Sequence, residues 1–237
     1  MKETKMVKII EQSYDILDLD GIIMLKKVEY AARTCYKSED KITNTSYLNF
    51  IKMLMSHEPK HLAMLEHAGT VSVRIVCNRG LSHELVRHRL ASYAQESTRY
   101  CDYTKEKHHK ELTVIKPLWI KETAEQLTKI AEIYKIGKKN IILSGPVSYW
   151  LNAMLDAEDT YFKLRQYIEP QNARGVLPID IKTEIVITAN LTEWRHIFKL
   201  RINNAHPQIM AIMRGILKDF NRAFPVVFED IYTTMEE

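Results

Sequence analysis

The sequence predicts an α+β fold in a single domain spanning residues 1–237, on three observations. Short β-branched segments are interspersed with pairs of amphipathic helical segments. Seven glycines and seven prolines leave no room for a long flexible linker, and no internal repeat or low-complexity tract divides the chain. Apolar residues at 46% and charged residues at 27% suit one soluble core, and a chain of this length buries roughly 70–75% of its extended surface on folding.

Residues 6–12 form the first candidate strand. Residues 21–36 follow as a helix, because Ile22, Leu25, Val28 and Ala32 recur near the 3.6-residue period. Asn44 and Thr45 offer side-chain oxygens to cap a second helix over 46–56, which turns Tyr47, Phe50, Ile51, Leu54 and Met55 inward. Thr70-Val-Ser-Val-Arg-Ile-Val-Cys77 alternates apolar with polar residues and is the clearest strand. A short helix over 81–87, capped by Asn78, would deliver Arg87, His88 and Arg89 at its C-terminal end, where cations suit the helix dipole. On that helix Glu84, Arg87 and His88 share a face. Residues 105–110 read as a solvated charged loop. Two long helices over 120–143 and 146–167 are separated by Ser144-Gly145-Pro146. A strand over 183–190 then leads into helices over 192–203 and 207–220.

A net charge of +4 is too small for a protein that lives on DNA, yet it suits a substrate carrying several phosphates. No nucleic-acid partner is therefore expected. Cys35, Cys77 and Cys101 are odd in number and form no CxxC pair, which argues for a reducing compartment and against a disulfide framework. No apolar run approaches eighteen residues and the first eight residues carry no signal-type segment, so the expectation is a cytoplasmic protein without a membrane span.

The most informative segment is Arg87-His88-Arg89-Leu-Ala-Ser92-Tyr-Ala-Gln95-Glu-Ser97-Thr-Arg99. Phosphate loops of the nucleotide-binding folds use glycines to bring backbone N–H groups to the anion, but between Leu81 and Lys116 there is no glycine. An anion here would be held by side chains instead: three guanidinium forks and the hydroxyls of Ser92 and Ser97. Taken alone, the cluster also fits a solvated basic turn.

Three other patterns carry possible chemistry. His57-Glu58-Pro59-Lys60-His61 matches the letters HExxH, but that zinc site needs both imidazoles on one continuous helix, and Pro59 would break it. No metal site is expected. A hydrolase using Ser92 or Ser97 with His88 lacks a nucleophile elbow and an oxyanion loop. Leu191, Trp194 and Phe198 set an apolar stripe that Arg201 continues, and an arginine there calls for an anionic partner, a structural acid or a ligand.

The full spacing Arg-His-Arg, two residues, Ser, four residues, Ser, one residue, Arg resembles the signature of the flavin-dependent thymidylate synthases. Six specified positions would recur by accident in a chain of this length only on the order of once in a few hundred thousand sequences. The similarity runs over about residues 31–228, with further matches at Ala31-Ala-Arg-Thr-Cys35, Leu65-Glu66-His67, Ala173-Arg174-Gly-Val-Leu-Pro178 and residues 190–201.

The resemblance implies a central, mainly antiparallel sheet flanked by long helices, and a homotetramer with active sites shared between subunits. It implies reductive methylation of dUMP to dTMP, with 5,10-methylenetetrahydrofolate as carbon donor, NADPH as reductant and FAD as bound cofactor, and without a covalent protein nucleophile. Arg201 and Arg174 match the arginines that bind and polarise the pyrimidine. Glu84, Arg87, Gln95, Glu96, Ser97, Thr98 and Arg99 match the remaining dUMP positions. Cys35, His61, Glu66, Arg87, His88, Arg89, Gln95, Asn190, Thr192 and His196 match flavin positions, with His57 the other histidine able to stand before the Glu-His pair. Two of these depart from the family pattern: Cys35 stands where serine is frequent, and Thr192 where arginine is.

Overall fold

The computed structural model describes residues 7–135 and 145–235. Two short strands open it, β1 (Lys8–Ile10) and β2 (Ser13–Ile16), followed by helices α1 (Gly21–Thr34) and α2 (Ser46–Ser56). The long strand β3 (Thr70–Asn78) passes directly into α3 (Arg79–Leu85), and strands β4 (Ser92–Gln95) and β5 (Thr113–Ile115) come next. Helices α4 (Ala124–Lys135), α5 (Gly145–Leu164) and the single turn α6 (Pro170–Ala173) precede strand β6 (Lys182–Asn190). The chain finishes with α7 (Leu191–Arg201), α8 (Pro207–Ala223) and α9 (Pro225–Tyr232).

Four strands form a sheet in the order β2-β3-β6-β4, and β1 pairs with β5 separately. Ser72 meets Thr188 at 2.8 Å while Asn78 reaches Asp180 at 2.8 Å. Partner numbers fall as the strand advances, which makes the β3–β6 pair antiparallel. The β1–β5 pair is parallel, Ile9 opposite Val114. The fold is thus mixed α and β with an antiparallel sheet, together with a two-stranded parallel ribbon that the sequence did not suggest. Among the described residues no helix is long and apolar enough to cross a membrane.

Residue packing separates the chain into two compact units, one of residues 1–13, 76–84 and 95–185, the other of 14–75, 85–94 and 186–237. In the first, Ile9, Val114, Leu127 and Leu151 are buried in one apolar cluster and Tyr103, Leu112, Tyr161 and Ile181 in a second. Asn78 starts α3 as expected, its Oδ1 accepting from the Leu81 N–H at 2.8 Å. That helix stops at Leu85, two residues short of the expected end, so Arg87 and His88 share no helical face with Glu84. Helix α4 begins at Ala124 rather than 120 because Thr123 and Gln126 form a reciprocal cap: the Thr123 hydroxyl accepts from the Gln126 N–H and the Gln126 amide accepts from the Thr123 N–H. Residues 136–143 of the expected helix lie outside the described residues, as does Ser144 of the break. Within 105–110 a 3-10 turn over Glu106–His108 sets the His108 ring 5.3 Å from Tyr103, so the segment is less fully solvated than its charge implies.

In the second unit, Asp20 caps α1 through the Ile23 N–H. The buried face of α1 is Met24, Leu25, Val28, Glu29 and Ala32. Ile22, expected inward, is 56% exposed, because it sits two residues before Met24 and so points to the opposite side of the helix. Buried Glu29 accepts from Arg33 at 2.7 Å and Ser46 at 2.8 Å, tying the start of α2 to α1. The cap of α2 is supplied by neither Asn44 nor Thr45: Thr43 Oγ1 accepts from the Ser46 N–H at 3.1 Å. Phe50 is half-buried beneath the Arg33 guanidinium.

Trp194, Phe198, Phe220 and Phe228 pack ring against ring where α7, α8 and α9 meet, and all four are fully buried. Arg195, one residue past Trp194, is 1% exposed and donates to Asp230 through Nη1 and Nη2, each at 2.7 Å, and to the Val227 carbonyl. Lys60 reaches the same carboxylate at 2.5 Å. Gly215 in α8 makes room for Tyr14: a Cβ there would lie 2.8 Å from Tyr14 Cε1, and the Tyr14 hydroxyl donates to Asp219 at 2.8 Å.

Candidate active site

The signature segment leaves α3 through a turn. The His88 N–H returns to the Leu85 carbonyl at 3.1 Å, and the Ala91 N–H to the His88 carbonyl at 3.3 Å. This turn buries His88, which is 4% exposed, and leaves Arg87 and Arg89 exposed on either side. Alternation across the turn therefore separates the histidine, turned inward, from two arginines available to an anion.

In the first unit the candidate nucleotide residues form a braced strand end. Gln95 donates its amide to Ser82 Oγ at 2.8 Å and to Thr183 Oγ1 at 3.2 Å. The Glu96 carboxylate receives Lys182 at 3.1 Å and the Tyr103 hydroxyl at 3.2 Å, and its carbonyl receives Arg79 at 2.6 Å. Glu96 is thereby neutralised inside the protein and acts as a support for the segment. Ser97 Oγ accepts from the Arg99 N–H at 3.3 Å and the Ser97 carbonyl accepts from Cys101 at 2.8 Å, closing a turn that projects Arg99 outward. Thr98 and Glu84 are half-buried, and Arg174 is exposed at the start of a 3-10 turn, Arg174–Val176.

In the second unit the residues meet around His88. Arg201, half-buried at the last turn of α7, donates from Nε to His88 Nε2 at 3.1 Å. One partner of this arginine on the apolar stripe is therefore an imidazole. A ring nitrogen that accepts must be unprotonated, so the imidazole is neutral with its proton on Nδ1. The ring of exposed His196 stands edge-on to His88 at 5.9 Å. Burial, the Arg201 charge and His196 push His88 down from 6.5 to about 4. Tyr93, which the sequence reading passed over, donates to the Leu85 carbonyl at 2.6 Å and the His88 carbonyl at 2.8 Å. Burial and then Glu193 raise its hydroxyl to about 12, against the opposing Arg201 charge. Burial also raises the Glu193 carboxyl, with His196 opposing.

A direct consequence is testable. The unfolded histidine binds protons from 6.5 downward and the folded one only near 4, so its contribution to stability is present above 6.5 and is lost as pH falls through that interval. NMR titration of the His88 ring is expected to show its midpoint near 4, and His88→Gln to flatten the acid-side loss of stability between 6.5 and 4; a His88 midpoint near 6.5 would contradict the neutral, buried assignment.

The other flavin candidates serve the framework as well as facing outward. Asn190 caps α7 by accepting from the Glu193 N–H at 2.8 Å, and the Thr192 hydroxyl donates to the Leu62 carbonyl at 2.9 Å, next to exposed His61. Cys35 and His61 line an apolar cavity of about 390 Å³ together with Tyr36, Phe50, Met53 and His57. Glu66 is exposed on the following 3-10 segment. Helix α2 ends at Ser56, so His57 and His61 do not share a helix. Among the described residues no group of three or more His, Cys, Asp or Glu side chains is gathered as for a metal ion.

The family model described as thymidylate synthase complementing protein matches residues 24–226. The chain belongs to that family. It is 33% identical over 220 residues to a flavin-dependent thymidylate synthase of Corynebacterium aurimucosum, covering 87% of this chain and 80% of the relative. It is 30% identical over 226 residues to one of Mycobacterium tuberculosis, covering 92% and 82%. Among solved structures, thymidylate synthase X of Helicobacter pylori, crystallised with FAD and dUMP, aligns with a TM-score of 0.68 at 18% identity over 93% of this chain and 99% of that one. A UMP/dUMP methylase of Streptomyces cacaoi bound to 5-Br dUMP aligns at 0.69 and 19% identity over 97% and 98%. At these identities the structural matches establish the fold, while the sequence matches carry the family. In thymidylate synthase complementing protein terms, the matched span contains every candidate residue above.

Proposed function

We propose that this protein forms dTMP from dUMP by reductive methylation, with 5,10-methylenetetrahydrofolate as carbon donor, NADPH as reductant and FAD as bound cofactor. The observation that carries the reading is the half-buried Arg201 guanidinium, held through Nε by neutral His88 at 3.1 Å, a fixed cation of the kind that stabilises charge developing on a pyrimidine. A guanidinium stays charged at every working pH, so it stabilises the anionic form of the ring without a proton transfer of its own.

The remaining residues take roles that the family resemblance implies. Exposed Arg87, Arg89 and Arg99 supply forks for phosphate oxygens, and Arg174 a further contact for the nucleotide. The cavity beside Cys35 and His61 fits a flat heteroaromatic group, being apolar with two imidazoles at its wall. These residues suit FAD, which when bound supplies hydride chemistry that no side chain offers. Thr192 has no charge to offer a flavin phosphate and its hydroxyl donates to the Leu62 carbonyl, so the flavin-phosphate contact that arginine would make there is lost.

Activation without a protein nucleophile agrees with two of the three thiols. Burial pushes Cys77 up to about 12 and also raises Cys101, which keeps both protonated and unreactive. The proposal includes a cytoplasmic homotetramer with shared sites, as the family resemblance implies.

The test is anaerobic incubation of the purified protein with FAD, dUMP, methylenetetrahydrofolate and NADPH. dTMP formation with a flavin absorption spectrum is expected. A protein that binds no flavin and forms no dTMP would overturn the reading, and NADPH oxidation that never yields dTMP would point to a flavin oxidoreductase on the same fold.

A further inference from the structure

We propose that Tyr93 is a positioning residue for the Arg201 guanidinium, acting through the turn that carries His88; the inference rests on the role proposed for Arg201. Tyr93 occupies an unspecified position of the signature, between Ser92 and Ala94. Its hydroxyl donates to the carbonyls of Leu85 and His88, at 2.6 and 2.8 Å, and so fastens both ends of the turn that follows α3.

The turn needs such a fastening. The last carbonyls of a helix have no partner within it, and the backbone here supplies only the His88 N–H to Leu85 and the Ala91 N–H to His88, at 3.1 and 3.3 Å. The Tyr93 hydroxyl adds one O–H, shared between the two carbonyls. With Cα of His88 held, the imidazole is held too, and its Nε2 fixes the Nε of Arg201 at 3.1 Å. A guanidinium anchored at Nε retains little freedom to rotate, so the direction of its two terminal nitrogens is set before substrate arrives. The charged and titratable groups acting on this chain of contacts are Arg201 and His196 around His88, and Glu193 and Arg201 around Tyr93.

Tyr93→Phe removes the hydroxyl and keeps the ring. The expected result is a fall in kcat for dTMP formation on the order of 10²-fold with KM for dUMP little changed, the size associated with misplacement of a catalytic group by about 1 Å. The second measurement is a double-mutant comparison in Arg201→Lys, which retains charge but has no Nε–H. There Tyr93→Phe is expected to have almost no further effect, whereas a purely structural tyrosine would cost the same factor in both backgrounds and the proposal would fail.

Should Tyr93→Phe not accumulate as folded protein, His88 decides the point at saturating FAD. His88→Gln, whose amide oxygen can accept from Nε, is expected to keep most of the turnover that His88→Phe loses; equal loss in both overturns the proposal. Full activity in Arg201→Ala would instead overturn the role given to Arg201 under the proposed function, an outcome separable from wild-type kcat in Tyr93→Phe alone.

Discussion

Arg201→Ala is expected to lower kcat for dTMP formation by roughly 10²–10³-fold, the loss typical when one preorganised donor to a developing anion is removed. The fold is expected to survive. Arg201 lies at the last turn of α7, half-buried, and the aromatic packing of that helix rests on Trp194 and Phe198. Truncation leaves His88 Nε2 without its Arg201 donor, at a cost of about 1–3 kcal/mol, which is tolerable for a domain of this size. The measurement is single-turnover dTMP formation at saturating FAD, alongside a thermal melt. Near-normal turnover in a folded variant would refute the assigned role. Arg201→Lys separates charge from geometry: if charge alone sufficed, lysine would restore the rate.

The second large effect is on stability. Asp230→Ala would leave the Arg195 guanidinium, 1% exposed, without the carboxylate that receives two of its N–H groups. Breaking a buried pair from one side costs about 3–5 kcal/mol, and the lower figure applies because Asp230 is itself 33% exposed and water reaches it. A loss of about 3 kcal/mol corresponds to a fall in Tm of roughly 6–12 °C for a chain of this length. Burial works to raise the Asp230 carboxyl, but the hydrogen bonds from Arg195 and Lys60 outweigh it and hold the group well below the ordinary carboxylate range. A depressed carboxyl contributes stability above its unfolded pKa of about 3.9 and loses it as pH falls below that value. The deficit of Asp230→Ala should therefore be full at neutral pH and shrink in acid. An unchanged melting temperature at neutral pH would show that the network contributes nothing net.

How much of this was legible in the sequence depends on whether the cause was local. The β3 strand was readable because its alternation records burial on one face, and the start of α3 because Asn78 stands three residues before the N–H it caps. The start of α5 was likewise marked by Gly145-Pro146. By contrast, the four-residue strand β4 lies inside a segment whose charges suggest a turn, and it is a strand only because β6, about ninety residues later, pairs with it. The parallel pairing of β1 with β5 is nonlocal in the same way, across roughly a hundred residues.

The site shows the same division. Its candidate residues are marked by the spacing of the signature and by family resemblance, since nothing in the composition marks Arg174 or His196. The arginine stripe of α7 was visible, but the His88 ring that accepts from Arg201 lies 113 positions away and no local pattern joins the two. Arg195 escaped notice for a related reason. One arginine among the core positions of a helix reads as a surface residue until Asp230, 35 residues onward, is known to face it. Tyr93 had no sequence mark at all: a tyrosine between a serine and an alanine discloses its role only when the two carbonyls beneath its hydroxyl are located.

The notch at Gly215 has a consequence for alignment. Tyr14 belongs to β2, the terminal strand of the four-stranded sheet, and a strand in that place has one neighbour to hold its register. Sliding by a single residue would turn every side chain to the opposite face. With its ring seated over Gly215 and its hydroxyl on Asp219 one helical turn further, Tyr14 works as a key that enters α8 in one position only. Alanine at 215 would favour the helix by about 1 kcal/mol in isolation, yet its methyl would fill the keyhole. The helix thus forgoes intrinsic propensity at this position, and in exchange the outermost strand has one way to pair.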